Sequence, residues 1–178
     1  KGFNADDWIY ELADGIIGDN YPQPDRMLRH VESVVNDYLT QELCYNEPLE
    51  GKFKTFAVEG ATAAMCYIFD TLIANNILSK GDKIALMAPI FTPYLEIPHL
   101  PRYNFEVIKV LADETTEDGR RTWQYSSKEI EKISDSTIKA LFIVNPSNPA
   151  SVAMKPETVK QLKNIVENSN PDLMIISD

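Results

Sequence analysis

From residue 53 onward, short apolar runs alternate with stretches of helical spacing, and this alternation limits the fold more than any other feature of the chain. Residues 53–58, 83–87, 105–111, 138–144 and 173–176 read as strands, and 63–78, 94–99, 126–133 and 155–168 as helices. Ser126 and Glu129 have capping-box spacing, and Pro156 suits a first helical turn. Residues 112–122 are polar and charged and read as a surface loop with a turn at Asp118-Gly119. Helices inserted between successive strands imply crossover connections, so the expected fold is α/β, with a mostly parallel sheet covered by helices on both faces.

Upstream, Asp19-Asn20-Tyr21-Pro22-Gln23-Pro24 is turn-rich, because each proline pushes its predecessor out of helical space. Asp25 can cap a helix over about 25–43, in which Met27, Leu28, Val31, Val34, Val35, Tyr38 and Leu39 share one face. The chain therefore divides into an extended N-terminal segment, 1–24, and a domain over 25–178. It opens on Lys1 and closes on the strand-type run Ile175-Ile176-Ser177-Asp178, which reads as an internal piece of a longer polypeptide.

Composition narrows the function classes. Lys and Arg number 17 against 27 Asp and Glu, a net charge of −10. So acidic a chain is a poor partner for nucleic acid or an anionic membrane surface. Cys44 and Cys66 cannot form a disulfide framework or a zinc site, and His30 and His99 lack metal-ligand spacing, so no metal site is expected. The apolar runs are too short to cross a bilayer and no signal peptide is recognised, which makes the cytoplasm the expected compartment.

Ligands of parallel sheets gather at the carboxyl ends of the strands, which directs attention to the loops after residues 58, 87, 144 and 176. Gly60-Ala61-Thr62 joins a strand to a helix N-terminus and reads either as a capped turn or as an anion cradle of free N–H groups. Phe91 and Tyr94 read as core packing or as rings that stack on a planar ligand. Asn145 and Asn148, in Asn145-Pro146-Ser147-Asn148-Pro149, can make Asx turns or donate to a phenolate-like oxygen. Asp178, at the end of an apolar strand, needs a protonated pyridine nitrogen, a metal or an arginine as partner.

Taken together and in this order, these groups describe the wall of a pyridoxal 5′-phosphate (PLP) pocket. Here the sequence resembles the class I/II aminotransferases of PLP fold type I, whose large domain 25–178 would represent in part. The resemblance implies that Gly60, Ala61 and Thr62 hold the cofactor phosphate, Phe91 stacks on its ring with Tyr94 as companion, Asn148 bonds the phenolic oxygen and Asp178 the ring nitrogen. Tyr45 would match a tyrosine that reaches the neighbouring subunit's phosphate. Three longer strings, 14–22 with 24–26, 58–70 and 91–98, resemble the aspartate 4-decarboxylase branch. Where the wider family carries Asn-Pro-Thr-Gly, this chain carries Asn148-Pro149-Ala150-Ser151.

The branch implies conversion of L-aspartate to L-alanine and CO2, with aspartate transamination as a side activity, in a homo-oligomer with shared sites. How the β-carboxylate is held would decide between the two outcomes. The family's Schiff-base lysine lies beyond residue 178. Lys128 is no stand-in, so the isolated chain is expected to be inactive. The alternatives are a plain aspartate or aromatic aminotransferase, and a non-catalytic PLP-fold binding module.

Overall fold

The buried apolar runs 84–87 and 138–143 become neighbouring strands in the computed structural model, which describes residues 2, 4–18, 29–44 and 55–178. The chain divides into two units, 1–59 and 60–178. The first contains α1 (Ala5–Gly18) and α2 (Arg29–Cys44). Within the segment expected to be extended, Ala5–Gly18 is helical, while 19–24 lie outside the described residues. Apolar residues recur along α1 (Trp8, Ile9, Leu12, Ile16), and they remain exposed, as do Val34 and Tyr38 of α2. The expected strand 53–58 is not formed: residues 55–58 have no regular structure, and 53–54 are not described. A strand needs a neighbour for its backbone groups, and 55–58 have none among the described residues.

The second unit runs α3 (Ala61–Ala74), β1 (Lys83–Ala88), α4 (Pro93–Glu96), β2 (Glu106–Glu117), β3 (Arg120–Tyr125), α5 (Ser127–Glu131), β4 (Ile138–Ile143), α6 (Pro156–Asn168), β5 (Met174–Ser177). Single 3-10 turns come after α4, over Ile97–His99, and after α5, over Lys132–Ser134. The strand order is β3-β2-β1-β4-β5. β1 pairs in parallel with β2 and β4, and β4 with β5, whereas β2 and β3 are antiparallel.

Alternate residues of the central strands feed two cores. Ile84, Leu86, Ala140 and Phe142 face α3 and α4, and Ala85, Met87, Leu141 and Ile143 face α5 and α6. Phe69 of α3 anchors the first core. It is fully buried, with ring centroids 5.1, 5.4 and 5.2 Å from Tyr103, Phe105 and Phe142. Truncating such a side chain to alanine costs ~3–5 kcal/mol.

Two details depart from the sequence reading. Residues 112–117, expected as loop, extend β2 and pair with β3 from Ala112↔Tyr125 to Glu117↔Arg120. Asp118 and Gly119 both take positive φ, 49° and 74°, the backbone of a tight two-residue hairpin turn. Much of this hairpin is exposed, so it lacks the apolar alternation that reveals a half-buried strand. At α5, the Ser126 hydroxyl does accept the Glu129 N–H at 3.4 Å. The Glu129 carboxylate, however, turns away to the Leu111 N–H of β2 at 2.8 Å and to Lys132 at 2.6 Å. Those two contacts lower its pKa.

Candidate functional site

The parallel strands β1, β4 and β5 all finish at one edge of the sheet. α3 reaches that edge too. Its 14 residues span about 20 Å, matching the six-residue β1 to which its C-terminus returns, so its N-terminus lies level with the end of β1.

Gly60 opens α3 with φ 115° and ψ 171°, a conformation that L side chains rarely adopt, and no side chain caps the helix. The first intrahelical bond runs from the Ala64 N–H to the Gly60 carbonyl, at 3.0 Å. The N–H groups of Ala61, Thr62 and Ala63 therefore have no partner among the described residues, and Ala61 and Thr62 are exposed. Open space lies where a Cβ on Gly60 would project. A helix N-terminus left in this state attracts an anion.

After β1, Phe91 is half-buried and stands nearly edge-on to Tyr94, with centroids 6.4 Å apart and planes at 70°. Tyr94 is 5% exposed. Its ring lies 5.8 Å from Phe142 of β4, and its hydroxyl donates to Asp178 Oδ2 at 3.2 Å. Burial first, then the Asp178 charge and the hydrogen bond to it, raise the Tyr94 pKa to about 12. The phenol therefore stays protonated as a donor throughout the neutral range.

Asp178 continues the ladder beyond β5. Its N–H donates to the Ile143 carbonyl at 2.8 Å, and its carbonyl accepts from the Asn145 N–H at 3.1 Å. The backbone is thus fixed while the side chain stays exposed, and Oδ1 has no partner among the described residues.

The loop after β4 gives its two asparagines different tasks. Asn145 Oδ1 accepts the Met154 N–H at 2.9 Å and so closes the loop. Asn148 is exposed in a turn, and its amide has no hydrogen bond among the described residues. Ser147 pins the loop from inside: its hydroxyl donates to the Val152 carbonyl at 3.1 Å, and its Oγ is 3.2 Å from the Val152 nitrogen. Ser151, where the family has glycine, sits at φ 56°. That left-handed position favours glycine, and here a serine occupies it.

The groups proposed from sequence thus lie at the N-terminus of α3 and on the segments that follow β1, β4 and β5, and the Tyr94–Asp178 bond is a contact that the sequence analysis does not foresee. Those residues are 84 positions apart, with no local signal linking them. Tyr45 lies outside the described residues. The donor set fits the group the resemblance implies. It offers an open N–H cradle for a phosphate, a partly exposed ring for stacking, an unpartnered amide, and a carboxylate with one free oxygen. No group of three or more His, Cys, Asp or Glu among the described residues could hold a metal ion.

A family model, "Aminotransferase class I and II", matches residues 53–178. The chain belongs to that family. It is 41% identical over 177 residues to a Pseudomonas protein named bifunctional aspartate aminotransferase and L-aspartate beta-decarboxylase, an alignment covering 99% of this chain and 32% of the relative. The chain therefore spans about a third of that relative's length. Among solved structures, it resembles the alanine aminotransferase of Pyrococcus furiosus at TM-score 0.66 and 20% identity, over 96% of this chain and 38% of that one. It also resembles cystalysin of Treponema denticola, which contains a pyridoxal 5′-phosphate cofactor, at TM-score 0.60 and 19% identity, over 94% and 40%. At that identity the two structures establish a shared fold, that of fold type I.

Proposed function

We propose that this chain is the cofactor-binding part of a PLP-dependent aspartate 4-decarboxylase, which converts L-aspartate to L-alanine and CO2 and transaminates aspartate as a side activity. The observation that carries the choice of reaction is the 41% identity to the Pseudomonas protein across 99% of this chain. Within the proposal, Gly60, Ala61 and Thr62 hold the phosphate with backbone N–H groups, Phe91 stacks on the ring and Asn148 donates to its phenolic oxygen. Asp178 holds a proton on the ring nitrogen through its free oxygen. When bound, PLP supplies an electron sink for the charge that develops on the substrate. Asp178 keeps that sink effective, because a protonated ring accepts charge more readily than a neutral one.

Residues 25–178 are assigned to the PLP-binding domain. The expected setting is a cytoplasmic homo-oligomer with sites shared between subunits. Among the described residues no helix is long and apolar enough to cross a membrane.

The test uses the full-length protein with PLP and L-aspartate, no oxo acid added, monitored by proton NMR. Alanine accumulating over many turnovers is the expected result. Product that forms only when an oxo acid is supplied, and then as oxaloacetate, would make the protein a plain aminotransferase. PLP binding without any product would leave a binding module.

A further inference from the structure

The Asn148 amide makes no hydrogen bond among the described residues, so its place is set by the loop that carries it. That loop leaves β4 at Ile143 and enters α6 at Pro156. Its tip is closed on itself. The Ser147 N–H donates to the Val152 carbonyl at 2.9 Å, and the Ser151 N–H to the Ser147 carbonyl at 2.6 Å. A tip closed in this way moves as one piece, and the peptide unit between Ala153 and Met154 fixes it from below. Both ends of that unit are occupied: its N–H donates to Asn145 Oδ1 at 2.9 Å, and its carbonyl accepts from Gln124 Nε2 at 3.1 Å. The two groups point to opposite sides of a trans peptide, so the segment is gripped from both sides. Oε1 of the same glutamine accepts the Lys155 N–H at 3.4 Å, and Lys155 Nζ pairs with Glu117.

Gln124 lies on β3 opposite Asp113 of β2, two residues past Leu111, the last residue of β2 to pair with β1. In the sheet, β2 and β1 separate β3 from β4. The loop after β4 is therefore tied to a strand three spacings away, about 14 Å, through the part of the β2–β3 hairpin that projects past β1. We propose that Gln124 is a positioning residue: by holding Ala153 and Lys155 from the hairpin, it fixes this loop so that the Asn148 amide meets the cofactor's phenolic oxygen. The proposal rests on the reading of Asn148 as the partner of that oxygen. Three features support it. Gln124 is half-buried, and both ends of its amide are spent on the backbone of 153–155. Among the described residues, the side chains from elsewhere in the chain that bond to 145–155 are those of Gln124 and Glu117. The Glu117–Lys155 pair is exposed, and exposed ion pairs hold little, which leaves Gln124 as the main tie.

The experiment uses the full-length protein as wild type, Gln124→Leu and Asn148→Ala. Hydrogen–deuterium exchange is followed in the cofactor-free protein, and the pH midpoint of the bound cofactor's absorbance in the PLP-loaded protein, with kcat and KM for L-aspartate alongside. In Gln124→Leu, exchange at Ser151, Val152 and Met154 should rise about fivefold to tenfold, the scale of a lost hydrogen bond, while 138–143 exchange as in the wild type. A donor to the phenolic oxygen favours its ionised form, so Asn148→Ala should raise the midpoint, and Gln124→Leu should raise it by less. In Gln124→Leu, kcat should fall about threefold to tenfold, with KM changing less than about twofold. Gln124→Glu keeps the size and the acceptor and loses only the donor, so it gives the same shifts in smaller measure should Gln124→Leu not fold. A wild-type midpoint in both Gln124 variants, with that of Asn148→Ala raised, would overturn the proposal and leave the role of Asn148 standing, whether or not exchange in the loop had risen. A midpoint unchanged in Asn148→Ala as well would overturn the assignment of Asn148 and the proposal with it.

Discussion

Where the strands begin, Asp82 accepts the Ser79 N–H at 2.7 Å and Lys139 at 2.8 Å. Asp135 accepts from the Thr137 hydroxyl at 2.6 Å and its N–H at 2.9 Å, and pairs with Lys83 at 3.4 Å. Asn170, 2% exposed, donates to the carbonyls of Ile133, Asp135 and Ile138 at 3.0 to 3.3 Å. Where the same strands end, the first N–H groups of α3, the Asn148 amide and one Asp178 oxygen have no partner among the described residues. Polar groups at the first edge serve the fold. Those at the second are held in place, by Gly60, Tyr94 and the 145–154 loop, without being satisfied. These groups are open to solvent and stand where ligands of parallel sheets bind, at the strand ends, so they remain available to a ligand.

Exchanging one residue at each edge tests this contrast most severely. In the full-length enzyme, Asp178→Asn should lower turnover on the order of 10²–10³-fold with little change in thermal stability, the scale of a lost preorganised charge. Asn170→Ala should do the reverse. It leaves three buried or half-buried carbonyls without their donor and costs ~2–4 kcal/mol in a denaturant titration, while activity per folded molecule is unchanged.

A smaller effect is expected at high pH. Tyr94 and Tyr125 both have pKa values raised from 10.0 to about 12, Tyr125 by burial and Tyr94 by burial together with Asp178. A phenol whose pKa rises on folding stabilises the fold fully below pH 10 and loses that contribution as pH climbs through about 12. Unfolding stability should therefore fall between those values, and the tyrosinate absorbance should rise in step. In Asp178→Asn the Tyr94 portion of the titration should move to lower pH, while that of Tyr125 should stay. The smallest effect concerns the loop after β4. Ser151→Gly removes the Cβ from a left-handed residue, and is expected to raise stability by about 0.5–1 kcal/mol without changing turnover.

The range of each interaction decides how much of the fold and site was legible in sequence. The loops after β1, β4 and β5 could be found from strand positions alone, because a parallel sheet dictates where its strand ends gather; the turn at Gly60 was placed from an expected strand, and 55–58 before it have no regular structure. Gly60, Phe91, Asn148 and Asp178 each stand in a local motif. The hairpin β2–β3 escaped notice because its Thr and Glu residues face solvent, although Asp118-Gly119 marked its turn. The tasks of Asn170, Glu129 and Tyr94 were illegible for a different reason. Asn170 bonds carbonyls 32 to 37 residues away, Glu129 an N–H 18 away and Tyr94 a carboxylate 84 away. Nothing beside these residues in the sequence announces the partner. Asn145 and Asn148 look equivalent as letters, and only the loop geometry shows which one is already occupied.

The contrast between the two edges is tested most directly by hydrogen–deuterium exchange of the full-length protein with and without PLP. The account predicts that PLP slows exchange in peptides containing Ala61, Thr62 and Ala63 and in the segment 145–150. Exchange at 79–82 and 133–138 should be unchanged. Protection at the strand-start edge, or none at the N–H groups of residues 61–63, would contradict it.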